Sequence, residues 1–262
     1  MTNAVLITGA CINTGVAIVE KFAAEGQNVI FTGRDADKVQ AKEKEYREKF
    51  PDVEIIGYAI NSLLDDRTVD EQAAKDLFAY IDAKGYFVDT LVLNAANQGL
   101  GMKIFESPLT DLMRVININV VWNFCLCELA AKRMKEQGGG NIVFVNSNTA
   151  YRAIPDRIAY VTSKGGQLGL MRALAIDLGK YNIRVNAVLP GMIRTNRWVT
   201  NPDFYKDVPS RFTPIGDVAD GADIADAVYY FAKHARNTTG AELVVDGGNT
   251  VQLYPQIPKE VQ

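Results

Sequence analysis

Histidine is all but missing from this chain of 262 residues, with His234 the sole example. One imidazole and three cysteines leave too few soft ligands for a zinc site of the alcohol-dehydrogenase kind, and they set aside Ser-His-Asp hydrolysis. No metal is expected, so redox chemistry here must run without His and without zinc. The cysteines, Cys11, Cys125 and Cys127, are odd in number and lack framework spacing, which argues against a disulfide-built secreted fold. Cys125 and Cys127 stand two apart in an apolar helical stretch and so point in different directions, as small packing residues would. Charge of one sign is also lacking: 28 basic against 31 acidic side chains give a net −3, with no electrostatic reason for a nucleic-acid partner. The longest apolar runs are broken by Lys, Asp or Glu, so no membrane span is expected. Residues 4–8 already read as a buried strand, leaving no room for a signal peptide, and a cytoplasmic location is expected. No Pro/Gly/Ser-rich linker, internal repeat or low-complexity tract divides residues 1–262, which predicts one domain.

What is present is regular alternation. Apolar, β-rich runs occupy residues 4–8, 28–32, 54–59, 90–93, 141–146, 183–188 and 242–246. Amphipathic stretches lie between them at 15–25, 35–50, 65–84, 110–137, 158–181 and 222–235. Near-continuous hydrophobic strands alternating with helices predict an α/β fold: a single doubly wound Rossmann domain whose seven-stranded, mostly parallel sheet has helices on both faces. Ligands of such sheets bind at the carboxyl ends of the strands, so chemistry is expected in the residues just after each strand.

After the first strand comes Thr8-Gly9-Ala10-Cys11-Ile12-Asn13-Thr14-Gly15, running into a helix. Gly9 and Gly15 allow a tight turn and close approach to a pyrophosphate, whose charge a helix N-terminus favours. The second strand ends Thr32-Gly33-Arg34. An acidic residue at that place would accept hydrogen bonds from the ribose 2′-hydroxyl of NAD. Gly33 stands there instead, followed by Arg34, whose guanidinium suits the 2′-phosphate of NADP. The alternative for Arg34 is a solvated surface charge, and Asp35 reads as the cap of the next helix.

Hydride transfer to a ketone needs an acid for the developing alkoxide. Without His, a tyrosine serves if a nearby cation lowers its phenol pKa, and Tyr-x-x-x-Lys puts the pair on one helix face. Three such pairs occur: Tyr80/Lys84, Tyr160/Lys164 and Tyr229/Lys233. Only Tyr160 follows a strand-end serine, Ser147, while Arg67 and Gly216 stand at the corresponding distance before the other two.

The order Thr8-Gly9…Gly15, Asn94-Ala95-Ala96, Asn119, Ser147, Tyr160-x-x-x-Lys164, Pro190-Gly191 and Asp246-Gly247-Gly248 resembles the short-chain dehydrogenase/reductase family over nearly the whole chain. The resemblance implies that Tyr160 is the general acid/base, that Ser147 hydrogen-bonds the reacting oxygen, and that Lys164 lowers the tyrosine pKa and holds the nicotinamide ribose. It implies that Asn119 holds a water in the proton relay, with Asn117 a close competitor. Thr8, Gly9, Cys11, Asn13, Thr14, Gly15 and Arg34 fall in the cofactor segment, as do Asn94, Ala95, Ala96, Pro190 and Gly191. Asn61, with Ser62 beside it, stands where the family has an Asp near the adenine. Thr195 resembles the threonine at the nicotinamide carboxamide, and Ile193 is placed for a backbone contact there. Two departures are Asn13 and Asn97, each where the family has glycine; Asn tolerates left-handed backbone best among the other residues.

Expected substrate-wall positions, beside Ser147 and Tyr160, are Asn97, Gln98, Thr149, Ile154, the loop 192–213 and the tail near Tyr254. The loop carries Trp198, Phe204, Tyr205 and Phe212, either a lid over a bulky apolar substrate or aromatic packing against the body. The run Pro155–Tyr160 and the proline-bearing tail are somewhat similar to bacterial hydroxysteroid dehydrogenases; a 3-oxoacyl reductase, a sugar-alcohol dehydrogenase or a non-catalytic NADP(H) sensor are the other readings. The helices at 110–137 and 158–181 carry more apolar surface than one sheet face buries, and a homotetramer or homodimer is expected.

Overall fold

Strands that are apolar on both faces need cover on both faces, and the topology supplies it. The computed structural model describes residues 2–256 and contains nine strands: β1 (Thr2–Ile7), β2 (Val29–Gly33), β3 (Ile55–Ala59), β4 (Leu63–Asp65), β5 (Thr68–Val69), β6 (Tyr86–Leu93), β7 (Gly140–Val145), β8 (Ile183–Pro190) and β9 (Glu242–Val245). Seven of them form one all-parallel sheet in the order β3-β2-β1-β6-β7-β8-β9, and β4 and β5 form a small antiparallel ribbon. The order reverses between β1 and β6, which opens the crevice at the carboxyl edge where ligands of doubly wound sheets bind.

Alternation along each strand divides the core. Val5 and Ile7 of β1 face α1 (Asn13–Ala24) and α2 (Ala36–Lys49), packing with Phe22, Phe31 and Tyr46. Leu6 faces the other layer, where α3 (Glu71–Ala83) contributes Leu77 and Phe78. On that side lie also α4 (Leu109–Ile116), α5 (Trp122–Glu136) and α6 (Ile158–Gly179). The loop 192–213 folds into three short helices, α7 (Asn196–Thr200), α8 (Pro202–Tyr205) and α9 (Val208–Phe212), before α10 (Gly221–Tyr229) returns to pack on α1.

Three sequence expectations need correction. The helix expected over 65–84 begins only at Glu71, because Asp65 ties a turn by accepting from the Arg67 amide (2.7 Å) and the Thr68 hydroxyl (3.2 Å). Asp70 then caps α3 by accepting from the Ala73 amide at 2.9 Å. The strand expected at 90–93 extends back to Tyr86, since Lys233 pairs with Asp89 at 3.2 Å and makes its charge tolerable. Finally, α4 and α5 are joined by a π-type turn (Asn117–Val121) into one helix, Leu109–Glu136, long and apolar enough to cross a membrane. In the fold its apolar stripe lies on the sheet instead, burying Trp122, Leu126, Cys127 and Met134. The three cysteines are free thiols, with Cys127 buried and the other two half-buried.

Candidate active site

The first strand-to-helix turn is built without room for side chains. Gly9 holds φ +66°, and a Cβ there would come within 2.8 Å of the Ala95 backbone. A Cβ on Gly15 would meet the Gly9 carbonyl oxygen at 2.4 Å. Asn13 has φ 50°, so the residue standing in a family glycine's place does take the left-handed conformation expected of it. Thr8 and Asn94 act as braces: the Thr8 hydroxyl accepts from the backbone amides of Asn94 and Ala95, both at 3.0 Å, and the Asn94 side-chain Nδ2 donates to the Thr8 and Gly9 carbonyls. Helix α1 has no side-chain cap and no acid in its first turn, which leaves its N-terminal N–H groups and positive dipole end to a phosphate beside Cys11 and Thr14. The cradle therefore fits a dinucleotide.

At the end of β2, Gly33 is hemmed in. A Cβ there would lie 2.5 Å from the Cys11 sulfur and 2.8 Å from a Val39 methyl. A ribose-binding carboxylate cannot stand at this position without displacing both. Arg34 beside it is exposed, and Asp35 caps α2 by accepting from the Lys38 amide at 3.1 Å. Asn61 is exposed just after β3, and the Ser62 carbonyl accepts from the Asp70 amide at 3.0 Å. Ala96 lies exposed beyond β6. Across the crevice, Pro190 ends β8 and Gly191 follows, where a Cβ would collide with Asp246 at 2.5 Å. Ile193 pairs with Ala219, and Thr195 is the residue before α7.

Beyond β7, Ser147 opens a tight turn by accepting from the Thr149 amide at 3.2 Å, and Tyr160 is the third residue of α6. Ser147 and Tyr160 line the same cleft, and the serine side chain acts on the phenol. Burial raises the Tyr160 pKa above its ordinary value, against smaller lowering effects from the Ser147 side chain and the Arg157 charge, so the phenol keeps its proton at neutral pH. The other two Tyr-x-x-x-Lys pairs have different surroundings: Lys84 lies over the Tyr80 ring, while Tyr229 packs on Phe22 and Lys233 is paired with Asp89.

Lys164 lies one turn from Tyr160, but its ammonium is held elsewhere. It donates to the Val145 carbonyl at 3.0 Å and to Gln167 Oε1 at 3.1 Å, and it stands 5.6 Å from the centre of the Tyr160 ring. Burial alone pushes its pKa down to about 7. Gln167 is the hub of this network. Its Oε1 also accepts from Asn146 Nδ2 at 3.1 Å, and its Nε2 donates to the Asn119 carbonyl at 2.6 Å. Asn123 Nδ2 donates to the same carbonyl at 2.9 Å. A carbonyl oxygen has two lone pairs, and Asn123 and Gln167 each donate to that of Asn119. The Asn119 side chain, fully buried, clamps the Asn97 backbone, accepting from its amide at 2.7 Å and donating to its carbonyl at 2.9 Å. Asn117 binds the Arg67 carbonyl, away from this network.

Gln167 and Asn146 were not picked out by sequence reasoning. The signal was there for Gln167: a polar side chain three after Lys164 and seven after Tyr160 falls on the same helix face, where an apolar one would pack.

A cleft of about 410 Å³ opens beside Ser147 and Tyr160. Of the expected wall residues, Gln98, Thr149 and Ile154 line it, as do Met192, Val208 and Phe212 from the loop. Asn97 does not: its backbone is held by Asn119 and its side chain accepts from the Gly99 amide at 2.9 Å, with Gly99 rather than Asn97 taking the left-handed conformation. Trp198 does not line it either; its ring stacks on Tyr205 at 4.4 Å. Tyr254 is exposed. The Phe204 side chain and residues 257–262 of the tail lie outside the described residues.

Comparison with known proteins agrees with this geometry. Residues 9–250 match a family model described as enoyl-(acyl carrier protein) reductase. The chain is 32% identical to a 7alpha-hydroxysteroid dehydrogenase of Escherichia coli K12, covering 95% of this chain and 94% of that one. L-sorbose reductase from Gluconobacter frateurii, solved with NADPH and L-sorbose, superposes with a TM-score of 0.85 at 26% identity, covering 97% of this chain and 98% of that one. An NAD+-bound xylitol dehydrogenase superposes with a TM-score of 0.80 at 27% identity, covering 94% and 98%. Motifs, sheet order and relatives converge: the chain belongs to the short-chain dehydrogenase/reductase family and is an NAD(P)-dependent oxidoreductase acting on CH–OH or C=O.

Proposed function

We propose that the protein interconverts a secondary alcohol and a ketone with NADP(H), on a bulky and largely apolar substrate of hydroxysteroid type. One observation carries the reading: Tyr160, its phenol kept protonated by burial, and Ser147 line one cleft with Ile154, Met192, Val208 and Phe212. The nicotinamide, when bound, supplies or takes up the hydride. Tyr160 gives its phenolic proton to the ketone oxygen as negative charge grows there, and takes it back in alcohol oxidation. Ser147 holds the same oxygen through its hydroxyl, stabilising the alkoxide before protonation. Lys164, poised near neutrality, offers a positive charge one helical turn from the tyrosine and a donor to a ribose hydroxyl. The preference for NADP rests on Gly33, where a carboxylate is sterically excluded, and on the exposed Arg34 guanidinium.

The same reading includes self-association. Phe124 on α5 is 47% exposed and Ile176 on α6 is 82% exposed, and a homotetramer or homodimer would cover such faces.

The test follows NADPH absorbance against a panel of oxo-steroids, with product analysis. Consumption yielding the alcohol, lost by roughly 10²–10⁴-fold in Tyr160→Phe, is the expected outcome. Tight NADPH binding with no turnover of any carbonyl, or a product reduced at C=C, refutes it.

A further inference from the structure

Arginine elsewhere in this protein is commonly neutralised. Arg47, Arg114, Arg133, Arg172 and Arg194 each form an ion pair with a carboxylate. Arg157, three residues before Tyr160, is different. It lines the cleft beside Ser147 and Tyr160, whose lining contains no carboxylate. Its one protein acceptor among the described residues is the Gln98 carbonyl, 3.1 Å from Nη1. A guanidinium has five N–H donors in a planar fork, so most of this fork is left to what enters the cleft.

The surroundings add to the imbalance. Burial lowers the Arg157 pKa, and Arg197, on α7, adds to this as a like charge, while Tyr160, Asp156 and Tyr205 oppose it. Arg197 forms no ion pair among the described residues, while Arg194 nearby is satisfied by Asp217 at 2.6 Å. A guanidinium without a carboxylate partner, in a cleft whose lining also holds apolar Ile154, Val208 and Phe212, makes a surface that is both basic and apolar. Partial desolvation of a guanidinium without a counter-ion is unfavourable, and an oxyanion delivered by the substrate removes that penalty.

We propose that the substrate is an amphipathic oxo- or hydroxy-acid whose carboxylate or sulfonate binds the Arg157 guanidinium while its apolar body lies against Ile154, Val208 and Phe212. This rests on the alcohol/ketone reading above and narrows it. The reaction itself is unchanged: the anionic group takes no part in bond making, and hydride and proton both go to the carbonyl.

The experiment compares three forms of one oxo-steroid: the side-chain carboxylic acid, its methyl ester and its taurine conjugate. For the protein as it stands, kcat/KM for the acid should exceed that for the ester by about tenfold or more, chiefly through KM, as for one charged hydrogen-bonded contact. In Arg157→Gln the acid-to-ester ratio should fall to about one, and in Arg157→Lys it should be intermediate. The ratio is the proper measure because Arg157 also acts on Tyr160, and both substrates use the same tyrosine. A taurine conjugate turned over like the acid marks a site for oxyanions in general; one turned over like the ester marks a carboxylate site. Equal kcat/KM for acid and ester, or a ratio that survives Arg157→Gln, overturns the proposal. Thermal stabilisation by the same three compounds in the presence of NADPH separates the two claims. With no turnover, preferential stabilisation by the acid that disappears in Arg157→Gln upholds the anion site and sinks the oxidoreductase substrate reading, and equal stabilisation by acid and ester sinks the anion site.

Discussion

Gln167 offers a perturbation whose sign can be worked out in advance. Replacement by Met keeps the side chain's length and much of its volume but removes three hydrogen bonds: to the Asn119 carbonyl at 2.6 Å, from Asn146 at 3.1 Å and from Lys164 at 3.1 Å. Each of these groups keeps a second partner, so no atom is orphaned. The stability cost is then about 1 kcal/mol per bond, partly offset by apolar burial, or about 2 kcal/mol in all. The effect on Lys164 is larger in relative terms. Its ammonium has two acceptors, and losing one of them disfavours the charged form by about 1.5–3 kcal/mol, a fall of one to two pH units from a pKa of about 7. Gln167→Glu does the reverse by setting a carboxylate against the ammonium. If charged Lys164 is needed for ketone reduction, the alkaline limb of kcat/KM against pH moves down in Gln167→Met and up in Gln167→Glu. A merely structural glutamine would lower stability in both variants and leave the limb in place. Limbs that stay put, or that move in the same direction in two folded variants, refute the reasoning.

Other outcomes follow from single contacts. Arg34→Asp should lower the NADP-to-NAD ratio of kcat/KM by roughly 10–100-fold, the worth of charged hydrogen bonds to a phosphate plus the new repulsion; an unchanged ratio makes Arg34 an ordinary solvated charge. Lys164 has a folded pKa of about 7 against an ordinary 10.5, so the unfolded chain binds a proton that the folded one has released between those values. Stability therefore rises with pH across that window, by up to about 1.4 kcal/mol per pH unit from this group, and denaturant titrations of Lys164→Met should show the slope reduced by that amount. Phe124→Glu combined with Ile176→Glu should shift the sedimentation coefficient to that of a smaller species while far-UV circular dichroism is kept; an unaltered assembly places the interface elsewhere.

The parts legible in the sequence are those set by local periodicity and by backbone geometry. Seven near-continuous apolar runs gave all seven strands of the sheet, and the strand-end position of Ser147 singled out Tyr160 from three candidate tyrosines. Asn13 was readable because a left-handed position narrows the choice of residue to very few types. What stayed hidden has a different cause: each such feature depends on which group a polar side chain meets across the fold. Asn97 stands at a glycine position, yet its backbone is not left-handed, because Asn119 brackets it from another element and Gly99 absorbs the turn. Lys164 lies one turn from Tyr160 as spacing requires, yet it faces Val145 and Gln167, since a buried ammonium goes to the acceptors that solvate it best. Arg157 is one of many arginines in sequence, and only the cleft shows it without a carboxylate. Periodicity therefore places Tyr160 and Ser147 at the carboxyl edge of the sheet, but the proposed substrate choice rests on the Arg157 guanidinium inside the cleft. The decisive comparison is between an acid and its ester, because the two differ at the end of the molecule that Arg157 faces and nowhere near Tyr160.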